Sequence, residues 1–134
     1  MTNPTGAGQK AGNASSEFLK VLVIDDERDL ADITGALLDA HGISNVVAYS
    51  PGEGLKVLAS ELQINALFSD IMMPEMTGLQ LALKVREAYP AVKIVLTSGF
   101  TPPGLLSGHG GLYQYIKKPY DILAVIRLLS GSAG

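Results

Sequence analysis

Short apolar runs alternate along this chain with longer stretches in which apolar residues return every three or four positions. Leu19 to Ile24 is a continuous apolar run broken only by Lys20, the pattern of a central parallel strand covered on both faces. It ends in Asp25-Asp26. Leu30, Ile33, Leu37 and Leu38 then recur at helical spacing, with Asp26, Glu27 and Asp29 placing acid in the first turn and His41-Gly42 closing the helix. Val46 to Tyr49 predicts a second strand. Ser50-Pro51 then reads as an N-cap with proline at the first helical position, and Leu55, Leu58 and Leu62 as that helix's buried stripe.

The run Ala66 to Ser69 predicts a third strand leading into Asp70, and Pro74 forbids any regular continuation of it. Leu81, Ala82, Val85 and Ala88 trace the next helix, which stops before Pro90. Val92 to Leu96 is a fourth strand ending in Thr97-Ser98-Gly99. Tyr113 to Ile116 is a fifth, followed by Lys117-Lys118-Pro119 and a last helix from Asp121 to Leu129. Between these strands, Phe100 to Gly111 holds two prolines and four glycines, so a fourth helix there is short or irregular. Alternating strands and helices with right-handed crossovers predict an α/β fold, a doubly wound five-stranded parallel sheet with helices on both faces. Its ligand crevice lies at the carboxyl ends of the strands.

Residues 1–17 are rich in Gly, Asn, Ser and Thr and bury too little apolar surface to offset their ordering entropy, so they read as a disordered tail. One domain is expected over 18–130, with 131–134 a flexible end. A formal net charge of -3 and a pI near 5.2 argue against a nucleic-acid-binding surface. The absence of cysteine removes disulfides and thiolate metal sites and agrees with a reducing compartment. No apolar run approaches the roughly 20 residues of a membrane span and no signal peptide begins the chain, so no membrane partner and a cytoplasmic location are expected.

The strand ends carry the chemistry. Asp25-Asp26 follow the first strand, Asp70 the third and Ser98 the fourth, and Lys118 follows the fifth. Carboxylates gathered at one edge repel one another, and Mg²⁺, a hard cation taking oxygen ligands, is the usual remedy. With one lysine and one hydroxyl, such a set suits phosphoryl transfer to an attacking carboxylate. Each piece has an ordinary alternative: helix capping for Asp25-Asp26, a turn for Thr97-Ser98-Gly99, a solvated lysine for Lys118, filler for Met73 and Met76. Their coincidence on one edge favours a site. His41, beside a helix-ending glycine, and His109, in a glycine-rich loop, do not suit a phosphodonor histidine.

Asp25-Asp26, Asp70 followed by Met-Met-Pro-Glu-Met-Thr-Gly, Thr97-Ser98-Gly99-Phe100 and Lys118-Pro119-Tyr120 together resemble the receiver domain of bacterial two-component response regulators. The resemblance runs from about Leu19 to Leu129. It implies a flavodoxin-like sheet of order 2-1-3-4-5, the order of the chemotaxis receiver that serves as a standard example of this fold. It also implies that Asp70 accepts a phosphoryl group from a histidine kinase or a histidine phosphotransfer protein. Asp26 would bind Mg²⁺ directly and Asp25 mainly through water, with Asp70 and the backbone carbonyl of Met72 as further ligands. Ser98 and Tyr115 would be the switch residues, Ser98 and Lys118 would meet the phosphoryl oxygens, and the Lys118-Pro119 bond would be cis.

Two departures from the family pattern stand out. The 100–111 segment is poor in helix formers, and the bulky apolar Met72 and Phe100 flank the acceptor and the switch hydroxyl, which predicts slow loss of the phosphoryl group. No output domain follows in this sequence, which suits either a stand-alone receiver with a downstream protein target, reached through Leu123 and Leu128 on the last helix, or a piece of a hybrid kinase. Two rival readings share the acidic edge. One is a Mg²⁺-dependent phosphohydrolase with Asp70 as nucleophile, which would need a second carboxylate near it as acid or base, a part for which Glu75 beyond Pro74 is a poor candidate, and the other is a binding-only pseudo-receiver.

Overall fold

Five parallel strands form one sheet in the order β2-β1-β3-β4-β5, where β1 is Lys20–Ile24, β2 Ser44–Ala48, β3 Ala66–Asp70, β4 Lys93–Ser98 and β5 Gln114–Lys117. This is the expected flavodoxin-like order. The computed structural model describes residues 18–99 and 113–131. Within them lie four helices, α1 Arg28–Ala40, α2 Pro51–Ser60, α3 Gly78–Ala88 and α4 Ile122–Leu129. The 1–17 tail, residues 132–134 and the doubtful 100–111 segment, with Phe100 and His109, fall outside the described residues.

Strand alternation divides the core in two. Leu22, Ile24, Leu67, Ile94 and Leu96 face α2 and α3, meeting Leu58, Leu81, Ala82 and Val85. Val21, Val23, Phe68 and Val95 face the other way, onto Leu38 of α1 and Val125 and Leu129 of α4. All five residues of β3 are buried, because it has a paired strand on each side and helices over both faces.

Helix starts follow the sequence signals closely. Ser50 caps α2 by accepting the Glu53 N–H at 3.1 Å, and the Glu53 carboxylate accepts the Tyr49 N–H at 2.8 Å. Thr77 and Gln80 form a reciprocal capping box at the start of α3. Gly42 takes the left-handed conformation after α1, with φ +76°.

The expected buried stripes needed correction. In α1 the buried residues are Ala31, Thr34, Gly35 and Leu38, whereas Ile33 and Leu37 are exposed. Helical spacing marks an apolar stripe about 100° wide, but the side against the sheet is chosen by close approach, and small residues win it here. Acid in the first turn reduces to Asp29, because Glu27 is the N-cap and Asp26 precedes it. Leu62 lies beyond the end of α2 and is 85% exposed, and Ala88 in the last turn of α3 is also exposed. In α4, Leu128 packs partly against the core while Leu123 stays outside.

Candidate active site at the carboxyl edge of the sheet

The order of the strands puts β1 and β3 side by side at the centre, so Asp25 and Asp70 leave the sheet next to each other. Both are buried, and β4 on the far side of β3 delivers Ser98, also buried. Single carboxylate oxygens of Asp25, Asp26 and Asp70 all lie within 4.8 Å of one another. Asp26 is the exposed member of the three. Each member was expected at this edge, and all three meet.

Lys118 arrives from the end of β5, where its N–H donates to the Ser98 carbonyl at 3.0 Å. Its Nζ lies 3.2 Å from Asp25 Oδ2, 3.5 Å from Asp70 Oδ2 and 3.6 Å from Glu27 Oε1. The Lys118-Pro119 peptide is cis, as the resemblance implied. Tyr115 donates its hydroxyl to the same Ser98 carbonyl at 3.1 Å, so one carbonyl ties a β5 side chain and the backbone of Lys118 just after β5 to the end of β4. The neighbouring Thr97 is buried, and its hydroxyl has no hydrogen-bond partner among the described residues.

Burial raises the Asp70 carboxyl, the Asp25 charge adds to the effect, and Lys118 draws it only part of the way back, leaving it at about 6 against an ordinary 3.8. Burial alone would lower the Lys118 ammonium. The Asp70, Asp25 and Glu27 charges outweigh that and hold it above the ordinary lysine value. The site therefore keeps more negative charge than one ammonium neutralises.

Three residues that hold the site together escaped the sequence reading. Gly78 begins α3 directly against the acceptor loop: a Cβ there would collide with the Asp70 carbonyl oxygen and lie 2.8 Å from Ile71 Cα. Its N–H donates to Ile71 O at 2.8 Å, closing the loop after β3. Only the glycine in Met-Thr-Gly hinted at this. Tyr120 sets its ring edge-on to Phe68 of β3 at 5.1 Å and its hydroxyl 2.7 Å from Thr34 Oγ1, pinning the loop after Lys118 to α1. Glu27 is the third, and its acidic neighbours masked it.

An open cavity of about 460 Å³ at this edge is lined by Asp26, Glu27, Asp70, Met72, Ser98, Gly99 and Lys118. Met72 is exposed at its rim, while Met73 is buried as core filler. The Met72 N–H points to Asp70 Oδ1 at 3.4 Å. Glu75 is exposed with φ 72° and is not among the described residues that line this cavity. The cluster is all oxygen donors, the chemistry that suits a hard divalent cation.

Comparisons with known proteins agree with this geometry. A family model for the response regulator receiver domain matches residues 21–129. The chain is 31% identical over 103 residues to the transcriptional regulatory protein GlrR of Escherichia coli strain K12, a match covering 75% of this chain and 23% of that protein. It is 33% identical over 123 residues to a 14.6 kDa protein encoded in the sodA1 3′ region of Leptolyngbya boryana, covering 83% of this chain and 87% of that one. In fold it is similar to a response regulator receiver domain protein from Clostridium thermocellum, with a TM-score of 0.77 at 23% identity over 84% of this chain and 91% of that one. The chain thus spans less than a quarter of the first regulator and most of the second protein. No helix among the described residues is long and apolar enough to cross a membrane.

Proposed function

The chain belongs to the response regulator receiver domain family, and from that premise we propose that Asp70 is a phosphoacceptor that takes its phosphoryl group from a phosphohistidine protein. The observation that carries this reading is the meeting of three carboxylates within 4.8 Å, two of them on one ammonium. Asp25, Asp26 and Asp70, with the backbone carbonyl of Met72, would hold Mg²⁺, Asp25 mainly through water. When bound, the ion supplies neutralisation of the charge on the transferring group.

In the transfer, an Asp70 carboxylate oxygen attacks phosphorus in line with the donor nitrogen. The P–N bond breaks, its electron pair stays on the imidazole, and the imidazole takes a proton from solvent. Lys118 and the Ser98 hydroxyl receive the equatorial phosphoryl oxygens. Ser98 moving toward them would disturb the carbonyl that Tyr115 bonds, which gives the switch its route from the site to β5. A histidine kinase or histidine phosphotransfer protein is the donor, and a downstream protein or a second histidine the recipient of the signal. Met72 at the rim slows attack of water on the acyl phosphate, so the phosphorylated form is long-lived. Self-phosphorylation from phosphodonors and hydrolysis of its own acyl phosphate are the only reactions of the domain in this reading, and it works in the cytoplasm without touching nucleic acid directly.

Intact mass after incubation with acetyl phosphate and Mg²⁺ tests the reading. One added phosphoryl group, dependent on Mg²⁺ and missing in Asp70→Asn, is the expected result. No adduct together with rapid consumption of acetyl phosphate would replace it with the phosphohydrolase. No adduct and no consumption, even with a phosphohistidine protein supplied, would leave a binding-only module.

A further inference from the structure

One charged side chain at the mouth of the site stands outside the phosphoacceptor set. Glu27 is the N-cap of α1, a position whose side chain ordinarily bonds a free N–H of the first turn, yet it makes no such bond. Its main chain is fixed, because its N–H donates to Asp25 Oδ1 at 2.9 Å. Its carboxylate instead reaches over to Lys118, with Oε1 3.6 Å from Nζ and the side chain 69% exposed.

An ammonium has three N–H donors, and Lys118 faces three carboxylates between 3.2 and 3.6 Å: Asp25, Asp70 and Glu27. A phosphoryl oxygen arriving on Asp70 needs one of those donors. The Asp25 side chain is 5% exposed, so taking the ammonium from it strands a buried carboxylate, and the Asp70 side chain, 7% exposed, keeps a buried acyl oxygen that needs a donor after its charge has passed to the phosphoryl group. Glu27 returns to water at little cost.

We infer that Glu27 is the exchangeable counter-ion of Lys118, holding the ammonium at the mouth of the site and surrendering its place when the phosphoryl group arrives. It is a positioning residue, acting through Lys118, and the inference rests on the reading of Asp70 as phosphoacceptor. A second consequence follows from charge alone. Glu27 lines the cavity beside Asp26 and Asp70, so its carboxylate draws a cation in and opposes an anion. Removing that charge moves the two affinities in opposite directions, whereas a loosened site would weaken both.

Calorimetric titration of the full chain tests this, first with Mg²⁺ and then, at saturating Mg²⁺, with beryllium trifluoride as a mimic of the phosphoryl group. Glu27→Gln should raise the Mg²⁺ Kd about two- to fivefold and lower the beryllium trifluoride Kd by a similar factor, the scale of one screened, mostly exposed charge. Glu27→Asp keeps the charge but is too short for the same reach to Lys118. It should leave the Mg²⁺ Kd near the wild-type value and lower the beryllium trifluoride Kd by less than Gln does. An unchanged or raised beryllium trifluoride Kd in Glu27→Gln, with the wild type binding normally, would overturn the role of Glu27 while leaving Asp70 as acceptor. Failure of the wild type itself to bind beryllium trifluoride with Mg²⁺ would instead overturn the phosphoacceptor reading, and this inference with it.

Discussion

The two ends of the same five strands handle charge in opposite ways. At the amino end, Lys20 pairs with Glu61 at 2.9 Å, and Asn65 takes the Lys20 N–H at 3.0 Å while donating to Phe18 O at 2.8 Å. One cation meets one anion, both reach water, and the Asn65 amide ties the backbone of Phe18 and of Lys20 at the start of β1. At the carboxyl end, Asp25 and Asp70 are buried, Asp26 and Glu27 stand at the mouth, and Lys118 is shared among Asp25, Asp70 and Glu27. The amino end is an arrangement that is complete within the chain. The carboxyl end carries more carboxylates than Lys118 can pair, and the Asp70 carboxyl is raised there by its burial first and by the Asp25 charge second.

Removing the cation that pairs with both Asp25 and Asp70 should have the largest effect. Lys118→Met leaves two buried carboxylates facing each other and should lower stability at pH 7, without divalent cation, by about 3 kcal/mol. Denaturant unfolding with and without Mg²⁺ checks it, and the loss should shrink when Mg²⁺ is added.

Asp70→Asn should act in the reverse sense, raising stability at pH 7 without divalent cation by about 1–2 kcal/mol once solvent screening is allowed for. The sign follows from linkage. The folded carboxyl titrates at about 6 and the unfolded one near 3.8, so between those values the folded state binds more protons. Wild-type stability should therefore gain from this group as pH falls from 7 towards 4, and the Asn variant should lack that gain. Melting temperatures of both proteins across that range decide it.

Tyr120→Phe tests whether the loop carrying Lys118 depends on its tie to α1. Losing the bond to buried Thr34 should cost about 1 kcal/mol, and Thr34→Val in the same chain should recover part of it, because the stranded hydroxyl goes too. A double-mutant cycle measures the coupling. The smallest effect belongs to the amino end, where Lys20→Met should change stability by less than about 1 kcal/mol and by less still in high salt. A loss at Lys20 as large as that at Lys118 would erase the contrast between the two ends.

Strand and helix order were legible along the chain because period and punctuation are local properties. The run into Asp25-Asp26, the Ser50-Pro51 cap and the stop before Pro90 each depend on neighbours within a few residues. The acceptor set was legible for a related reason. Parallel strands joined by right-handed crossovers bring every carboxyl end to the same edge, so residues that follow strands must assemble there.

Facing and reach were not legible. Ile33 and Leu37 carry the spacing of a buried stripe yet lie outside, because which side of α1 meets the sheet depends on the small Ala31 and Gly35 against strands far off in sequence. Leu62 reads as the next turn of α2, and the helix ends two residues before it. Gly78 beneath Asp70, Tyr120 on Thr34 and Glu27 on Lys118 join residues 8, 86 and 91 positions apart. The chain thus carried its own instructions for which groups arrive at the carboxyl edge, since strand ends are local. Which of them touch, which are buried and how one lysine is shared among three carboxylates were set by packing, because distance and dielectric exist only once the sheet has closed.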